Sequence, residues 1–314
     1  MITKKSLKLA MQKVFRQKDN ISRIINHPLN QNARFRAFFR WLVWQTIVRF
    51  SRSVSVSFVG NTFLTGSFSN VGVSYTYYFG LYEYRDMRLM ASLLRGEDLF
   101  IDVGANIGLY SILISSIQNS KVAAFEPVPS TYSMLKSNVI NNNLSDAVDC
   151  FCLAVGKDKG RVQLTCDLDV GNKITTNYGK GAISIDQIDL DSGICIENYN
   201  KIFLKIDVEG FEFEVLLGAR EILSNENCAA VLLEINSQSL SRGFDDCAII
   251  VMLEEYGFHP YDYVYSTNDL RKLDRASNYS DNTLFIKDPN FIRERLNSAD
   301  ISIEFQPKIK KIVW

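Results

Sequence analysis

The sequence predicts an α/β fold in which helices cover a mostly parallel sheet. Between residues 99 and 255, apolar runs such as LFIDV and KVAAF alternate with helix-like segments such as LYSILISSIQ. These runs lack polar alternation, which is typical of parallel strands buried on both faces. After Gly257, FHPYDYV and NTLFIK are separated by a polar loop at 265–281, and we expect them to pair as an antiparallel hairpin at one edge.

Charge and composition divide the chain into segments. Its 314 residues are 46% hydrophobic, which is enough for one large domain with appendages. Residues 1–50 contain 11 Lys and Arg and a single acid, whereas the remainder contains 24 basic and 34 acidic residues. We therefore expect a basic amphipathic leader at 1–50, a short β segment at 51–80, the main domain at 81–290 and a C-terminal tail at 291–314.

The sequence argues against a membrane-spanning, secreted or disulfide-bonded protein. The longest apolar stretch, FRAFFRWLVWQTIVRF, is interrupted by Arg40, Gln45 and Arg49, so we expect no membrane span. The first residues lack the continuous apolar segment of a secretory signal. The six cysteines have no metal-type CxxC spacing and are predicted to be reduced. Together these features predict a cytoplasmic protein.

The basic leader at 1–50 allows two interpretations. Its aromatic and cationic residues suit peripheral contact with the anionic inner membrane. Alternatively, its apolar side packs against the body of the protein, which we favour because apolar stripes usually face a core. Nucleic acid is not an expected partner, because the acidic remainder of the chain repels phosphates.

Carboxylates follow the predicted strands. Asp102, Glu126, Asp207 and Glu234 each lie at or near the carboxyl end of an apolar run. Ligands of open α/β sheets bind at these ends, where the strand order reverses. Several carboxylates on one rim cost stability through mutual repulsion, so their convergence indicates a site.

The first of these strands leads into an unusual turn. Asp102, Gly104, Asn106 and Gly108 form the pattern D-x-G-x-N-x-G. A dinucleotide-binding turn has a glycine at the position of Asn106, where the backbone approaches a pyrophosphate. An aspartate in this turn instead favours a ligand with a sulfonium or ammonium centre. Glu126 is placed to accept hydrogen bonds from both hydroxyls of a ribose, so the pattern predicts S-adenosylmethionine.

Three motifs carry a family resemblance. In order and spacing, DVGANIGLYS, FEPVPSTYSMLKSNV and FLKIDVEGFEFEVLLGA resemble the FkbM family of S-adenosylmethionine-dependent methyltransferases. The resemblance is strongest over residues 80–237. It extends to HPLNQNARFRAFFRWLVWQ and YFGLYEYRDM, which are similar to the leader of bacterial members.

The resemblance implies a Rossmann-like class I methyltransferase fold, with a seven-stranded sheet whose last pair is antiparallel. It also implies methylation of a hydroxyl on a small molecule or a saccharide. By motif match, Asp102, Gly104, Asn106 and Gly108 surround the methionine part of the cofactor, and Glu126 binds its ribose. The third strand ends without the acid that often holds adenine, so adenine contacts are expected from the backbone or elsewhere.

A hydroxyl acceptor needs a base or a metal, because it is a poor nucleophile at neutral pH. The fourth strand ends in IDVEGFE. It therefore lacks the (D/N)PPY-like turn of enzymes that methylate exocyclic amines of bases, and it lacks the Pro-Cys nucleophile of cytosine-C5 methyltransferases. Asp207 is the preferred catalytic base and Glu209 the second candidate. Glu212 is expected to cap the following helix through the helix dipole. The histidines, His27 and His259, are not expected to serve as the base.

A metal site is the other alternative at this rim. Asp207, Glu234 and Asn236 would place oxygen ligands suited to Mg²⁺ on adjacent strand ends. A purely structural, hydrogen-bonded role for Glu234 and Asn236 is favoured over the metal site. Lys205 is expected to neutralise its acidic neighbours without a catalytic role.

Two non-catalytic functions remain open from the sequence alone. The domain would then bind the cofactor without turnover, or it would act as a scaffold while the basic leader engages a membrane surface. The oligomeric state leaves no readable signal.

Overall fold

Helices and strands alternate through most of the described chain, which in this computed structural model comprises residues 21–47, 50–67, 70–165, 174–175, 182–235, 246–277, 282–301 and 308–313. The strands are β1 (Ser53–Ser57), β2 (Phe63–Gly66), β3 (Leu99–Val103), β4 (Lys121–Phe125), β5 (Val148–Phe151), β6 (Ala154–Val155), β7 (Gly160–Thr165), β8 (Ile174–Thr175), β9 (Ala182–Ile188), β10 (Ile202–Ile206), β11 (Cys228–Glu234), β12 (His259–Val264), β13 (Asp269–Lys272), β14 (Asn282–Ile286) and β15 (Ile309–Val313). The helices are α1 (Arg34–Ile47), α2 (Val71–Phe79), α3 (Tyr84–Leu93), α4 (Leu109–Gln118), α5 (Pro129–Asn141), α6 (Leu190–Gly193), α7 (Glu212–Leu217), α8 (Arg220–Ser224), α9 (Asp246–Glu255) and α10 (Pro289–Asn297), and α1 is preceded by a 3₁₀ helix at Pro28–Ala33.

The main sheet contains eight described strands in the order β13-β12-β14-β11-β10-β3-β4-β5. Strands β5, β4, β3, β10 and β11 run parallel to one another. Every residue of β3 and β10 is buried, so these strands form the centre of the core. The strand order reverses between β3 and β10, which is where an open α/β sheet binds its ligand. The predicted α/β class with a mostly parallel sheet is confirmed.

The predicted antiparallel hairpin is also present. Strand β14 pairs antiparallel with β11 and with β12, which completes the seven-stranded arrangement. The interpretation of residues 265–281 as a loop is wrong in part, because β13 lies within that stretch and adds an eighth strand beside β12. Strand β13 has one buried residue, Leu270, and three exposed ones, so its sequence carries little apolar signal.

A smaller four-stranded sheet interrupts the alternation between β5 and β10. Its order is β6-β9-β7-β8, with β6 and β9 parallel and the other pairs antiparallel. We expect only irregular structure in residues 157–200 from the sequence, and the structure corrects this. The strands are short and half exposed, and only Leu164 and Ile185 of β7 and β9 are fully buried.

The chain divides into two compact units, Met1–Tyr84 with Glu304–Trp314 and Arg85–Ile303. In the first unit, Trp44 of α1 is buried and stacks on Tyr77 of α2, with ring centroids 5.0 Å apart. The leader thus packs an apolar side against α2 of its own unit, whereas the predicted contact with the acidic remainder of the chain stays a prediction. The expectation of strands throughout residues 51–80 is wrong for α2. Its Val and Tyr residues suit strands locally, but Val73, Thr76 and Tyr77 recur at helical spacing and are buried.

The predicted C-terminal tail also has regular structure. Helix α10 buries Ile292 and Leu296, which lie one helical turn apart, and its Arg295 pairs with the buried Asp98 at 2.9 Å. Strand β15 pairs antiparallel with β1 and so joins the first unit. A short strand that gains its partner from the opposite end of the sequence leaves no local signal.

No helix within the described ranges is long and apolar enough to cross a membrane. Cys150, Cys152, Cys195, Cys228 and Cys247 are free, in agreement with the prediction of reduced thiols, while Cys166 lies outside the described residues.

Candidate active site

The turn after β3 passes directly against the end of β10. Gly104 has a φ of +81°, and a Cβ at this position would lie 1.9 Å from the backbone oxygen of Asp207. The backbone nitrogens of Gly104 and Ala105 both donate to the oxygen of Phe125 at the end of β4, at 3.0 and 2.9 Å. Glycine is therefore required for the approach of three strand ends at the point where the strand order reverses.

Glu126 joins the turns that follow β3 and β4. Its Oε2 accepts from the backbone nitrogen of Asn106 at 3.0 Å, and its Oε1 accepts from that of Val128 at 2.9 Å. Asn106 adopts a φ of +51°, which turns its backbone N–H towards this carboxylate. Burial raises the pKa of Glu126 to about 7, although the two hydrogen bonds oppose that shift. The carboxylate is thus oriented by the backbone and poised to change charge near neutral pH.

Asp102 lies deeper than the other predicted cofactor residues. It is fully buried in β3, and Ser111 Oγ of α4 donates to its Oδ2 at 2.6 Å. Its Oδ1 has no hydrogen-bond partner among the described residues. Burial raises the pKa of Asp102, while the charge of Lys205 lowers it. Asp102 therefore fixes α4 against β3, and it supports the turn from behind.

Gly108 shapes the same turn by a different means. It has a φ of +95° and precedes the first residue of α4. A Cβ there would lie 2.7 Å from Leu135 Cδ1 of α5. The glycine therefore allows α4 and α5 to pack closely behind the turn.

The second predicted motif supplies a carboxylate at the end of β10. Asp207 is partly exposed, and Lys205 Nζ donates to its Oδ2 at 3.0 Å. Lys205 itself is 3% exposed and lies 5.1 Å from the ring centroid of Tyr110. The predicted neutralising role of Lys205 is confirmed. The ion pair fixes the orientation of Asp207 at the reversal point.

The loop that follows Asp207 has a constrained backbone. Glu209 and Gly210 both have positive φ values, +55° and +98°. The buried Glu212 accepts from the backbone nitrogen of Gly210 at 2.9 Å and from that of Val208 at 3.4 Å. Glu212 lies in the first turn of α7, as predicted for an acid that interacts with the helix dipole, and its carboxylate also holds the preceding loop. Sequence alone does not distinguish these roles, since both place an acid in the first helical turn.

Glu234 is the fourth acid of a group that also contains Asp207, Glu209 and Glu212. It ends β11 beside β10, and burial together with the charges of Asp207, Glu209 and Glu212 raises its pKa to about 9. At this pKa Glu234 holds a proton at neutral pH, and its Oε2 has no hydrogen-bond partner among the described residues. The four acids thus carry one fewer negative charge than their number suggests.

The predicted Mg²⁺ site gains no support. Within the described ranges, no group of three or more His, Cys, Asp or Glu side chains is arranged to hold a metal ion. Asn236 lies outside the described residues. Positive charge reaches Asp207 from the ammonium of Lys205.

One cleft at the carboxyl ends of the parallel strands contains most of the predicted site. Gly104, Asn106, Glu126, Asp207 and Glu209 all line it, whereas Asp102, Gly108 and Glu234 are not part of its lining. Its remaining wall is largely apolar, a feature that the sequence does not reveal because these residues resemble ordinary strand core. That wall is formed by Val103, Phe125, Pro127, Val128, Thr131, Leu153, Ala154, Val155, Leu164, Val208 and Phe211.

Neither histidine is part of the lining of this cleft. His27 belongs to the first unit, where its Nδ1 accepts from the backbone nitrogen of Leu29, and burial lowers its pKa to about 4. His259 begins β12, at the end of the sheet opposite the cleft. Neither lines the cleft, so the bases available there are carboxylates.

Comparison with known proteins shows which family this chain belongs to. The family profile described as "Methyltransferase FkbM domain" matches residues 102–260, which is half of the chain and contains every strand end that forms the cleft. The chain belongs to the FkbM methyltransferase family. The predicted family resemblance is confirmed.

Similar proteins within and around the FkbM family act on different compounds, as their names state. The hexuronic acid methyltransferase AglP of Haloferax volcanii is 28% identical over 152 residues, which cover 48% of this chain and 61% of AglP. The 31-O-demethyl-FK506 methyltransferase FkbM of Streptomyces tacrolimicus is 23% identical over 153 residues, which cover 48% of this chain and 58% of that protein. The chain thus spans about three fifths of the length of these curated relatives.

Among solved structures, the FkbM methyltransferase of Methylobacillus flagellatus is similar at 16% identity and a TM-score of 0.43. The alignment covers 79% of this chain and 58% of that one.

Proposed function

We propose that this chain transfers the methyl group of S-adenosylmethionine to a hydroxyl of a saccharide or another small molecule. One observation carries the proposal. The glycine turn at Gly104, the buried carboxylate of Glu126 and the ion-paired Asp207 all line a single cleft where the strand order reverses. Membership of the FkbM methyltransferase family supports the same conclusion.

The residues of the cleft fit this cofactor. Each carboxylate oxygen of Glu126 already accepts one backbone N–H, and each can accept a further hydrogen bond from a ribose hydroxyl. Asp207 and Glu209 give the neighbouring wall the negative charge that attracts a sulfonium and an ammonium group. Phe125, Leu153 and neighbouring apolar side chains form a surface suited to an adenine ring. When bound, S-adenosylmethionine supplies an electrophilic methyl group.

The same features disfavour a dinucleotide. The position that must be glycine for close approach to a pyrophosphate is Asn106, whose backbone N–H is already bonded to Glu126. Asp207 and Glu209 on the facing wall would repel phosphate charges.

We assign Asp207 as the residue that accepts the proton of the acceptor hydroxyl, with Glu209 as the second candidate. Lys205 Nζ donates to Oδ2 of Asp207 and holds it in place. A carboxylate positioned by an ion pair loses little conformational entropy when the hydroxyl arrives. Transfer of the hydroxyl proton to Asp207, as the S–CH₃ bond of the cofactor breaks and the O–CH₃ bond forms, would make the oxygen a better nucleophile.

The raised pKa of Glu126 predicts a pH-dependent cost to stability. Below about pH 4.5 the side chain is protonated in both the folded and the unfolded chain, so burial adds no cost from this group. As pH rises towards 7, the unfolded chain ionises while the folded chain keeps its proton, and the folded state loses stability. Above pH 7 the cost is constant, at about 3 kcal/mol for a shift of this size.

Glu126→Gln removes this titration. We therefore expect the free energy of unfolding of the variant, minus that of the unchanged chain, to increase by about 3 kcal/mol between pH 4.5 and pH 8. Urea unfolding without cofactor across this range measures the difference. A difference that does not vary with pH would show that Glu126 titrates normally in the folded chain.

The proposed acceptor is a hydroxyl compound, and two classes of such compound are candidates. The name of AglP states a hexuronic acid substrate, and that of the Streptomyces protein states 31-O-demethyl-FK506, so both a saccharide and a hydroxylated small molecule are reasonable acceptors. We would incubate the chain with methyl-labelled S-adenosylmethionine and a panel of hexuronates, neutral sugars and polyhydroxylated lactones. Label transfer to oxygen, established by mass spectrometry, supports the proposal, and transfer to nitrogen or carbon alone would contradict it.

A cofactor-binding protein without turnover is the alternative function. It predicts that S-adenosylmethionine binds but is not consumed with any hydroxyl compound of the panel. The partly exposed carboxylate of Asp207, which lines the cleft and is oriented by buried Lys205, favours turnover because it is accessible to a hydroxyl compound.

A further inference from the structure

Helix α1 has two apolar faces, and only one of them packs against the protein. Ala37 and Trp44 lie on the inner face and are buried, with Trp44 stacked on α2. The opposite face is also apolar, at positions i, i+4, i+7 and i+8 of the helix. The side chains of this α1 outer face are exposed over 40% to 85% of their surface and are Phe35, Phe39, Leu42 and Val43.

Exposure on this scale is unusual within the described chain. Single exposed apolar side chains are common on protein surfaces, but four on one face of one helix form a contiguous patch. Phe50, three residues beyond the helix, is a fifth exposed apolar side chain, at 69%. Such a patch indicates a contact with a partner.

The charge around this patch identifies the kind of partner. Among its described residues, the first unit contains eight Lys and Arg and one acid, Glu83. Arg34 and Arg36 are exposed on α1 itself, and Lys310 and Lys311 are exposed on β15. A strongly basic unit with an exposed aromatic face is complementary to a surface that is both anionic and apolar beneath its charges.

We propose that the α1 outer face binds the surface of an anionic lipid bilayer, with α1 lying parallel to the membrane plane. Phenylalanine and leucine side chains would enter the boundary between headgroups and acyl chains, and the arginines at the start of α1 would contact lipid phosphates. The helix contains 14 residues, which is too short to span a bilayer of about 30 Å. The proposal is independent of the methyl-transfer function, since it uses no residue of the cleft.

Vesicle sedimentation of the full chain tests this assignment. We expect binding to vesicles of mixed phosphatidylcholine and phosphatidylglycerol, and much weaker binding to phosphatidylcholine alone. The double substitution Phe39→Asp and Leu42→Asp should lower the partition coefficient on the mixed vesicles by at least roughly tenfold, because it places two charges where apolar groups enter the bilayer. Val251→Asp and Ile140→Asp are matched controls, since these side chains are 55% and 53% exposed in the other unit, and should leave binding unchanged.

A second pair of substitutions separates the electrostatic part. Arg34→Gln with Arg36→Gln should weaken binding to the mixed vesicles at low salt and have a smaller effect at high salt, where these charges are screened. Since all substituted side chains are exposed, each variant should keep the thermal transition of the unchanged chain. That transition serves as the control for folding.

Three outcomes would overturn the proposal. In the first, the unchanged chain fails to bind either kind of vesicle. In the second, the variant with Asp substitutions in the α1 outer face binds the mixed vesicles as well as the control variants do. In the third, light scattering would show a dimer that the Phe39→Asp and Leu42→Asp substitutions dissociate, with no vesicle binding by the unchanged chain. That result would assign the face to a second copy of this chain.

Discussion

Replacement of Gly104 by alanine should disrupt the turns at the carboxyl ends of β3, β4 and β10 and abolish cofactor binding. The new Cβ would lie 1.9 Å from the backbone oxygen of Asp207, and a backbone atom between two central strands cannot move aside. The positive φ of +81° adds the cost that any side chain pays in the left-handed region. We expect the free energy of unfolding to fall by about 4 kcal/mol, which places this substitution among the most damaging single changes.

Gly257→Ala is the matched control for that substitution. Gly257 has almost the same φ, +82°, but a Cβ there would meet no atom within 4 Å. Alanine at this position should therefore cost only the conformational part, about 1 kcal/mol. Urea unfolding of both variants separates the two contributions. Equal losses for Gly104→Ala and Gly257→Ala would mean that the approach of the β3 turn to Asp207 is not a tight contact.

Replacement of Asp207 by asparagine should abolish most of the methyl transfer while cofactor binding is retained. Asparagine keeps the shape of the side chain but cannot accept the hydroxyl proton. We expect kcat to fall by roughly 10²-fold to 10⁴-fold, the usual contribution of a general base. The acceptor for this assay is the hydroxyl compound that gives the most product in the panel screen, and the affinity for S-adenosylhomocysteine is measured by calorimetry.

Stability must be followed in the same variant. Lys205 is buried and would lose its charged partner, so Asp207→Asn should also lower the melting temperature. Rates are therefore compared well below the transition of the variant. Glu209→Gln is the control, because Glu209 lines the same cleft and its loss should change kcat by less than about tenfold. The reverse order of effects would assign the base to Glu209.

The sequence predicts those parts of the fold that have a local signal. Strands β3 and β10 consist of buried residues throughout, so their apolar runs identify both the strands and the parallel sheet. The residues of α2 predict a strand because Val, Thr and Tyr favour strands locally, but burial at helical spacing against α1 outweighs that preference. Strand β15 depends on pairing with β1, a contact between opposite ends of the chain that no local pattern encodes.

The candidate site shows the same division. Gly104, Asn106 and Glu126 are identifiable because a positive φ and a strand-terminal acid leave a recognisable residue pattern. The sequence does not predict the proton held by Glu234, since its pKa of about 9 arises from burial beside three other acids. The sequence also does not show that Asp102 lies outside the lining of the cleft. Its burial behind Ser111 follows from the packing of α4, which only three-dimensional structure provides.

Calorimetric titration with S-adenosylmethionine and with NAD tests the central claim most directly, for the unchanged chain and for Glu126→Gln at pH 6 and pH 8. We predict micromolar binding of S-adenosylmethionine only, weakened at least about 100-fold by the substitution, because the amide keeps one neutral acceptor and replaces the other carboxylate oxygen by a donor. The ratio of the two affinities should be smaller at pH 6, where Glu126 is largely protonated. Binding of NAD, or equal affinity of both proteins for S-adenosylmethionine, would contradict the assignment of this cleft.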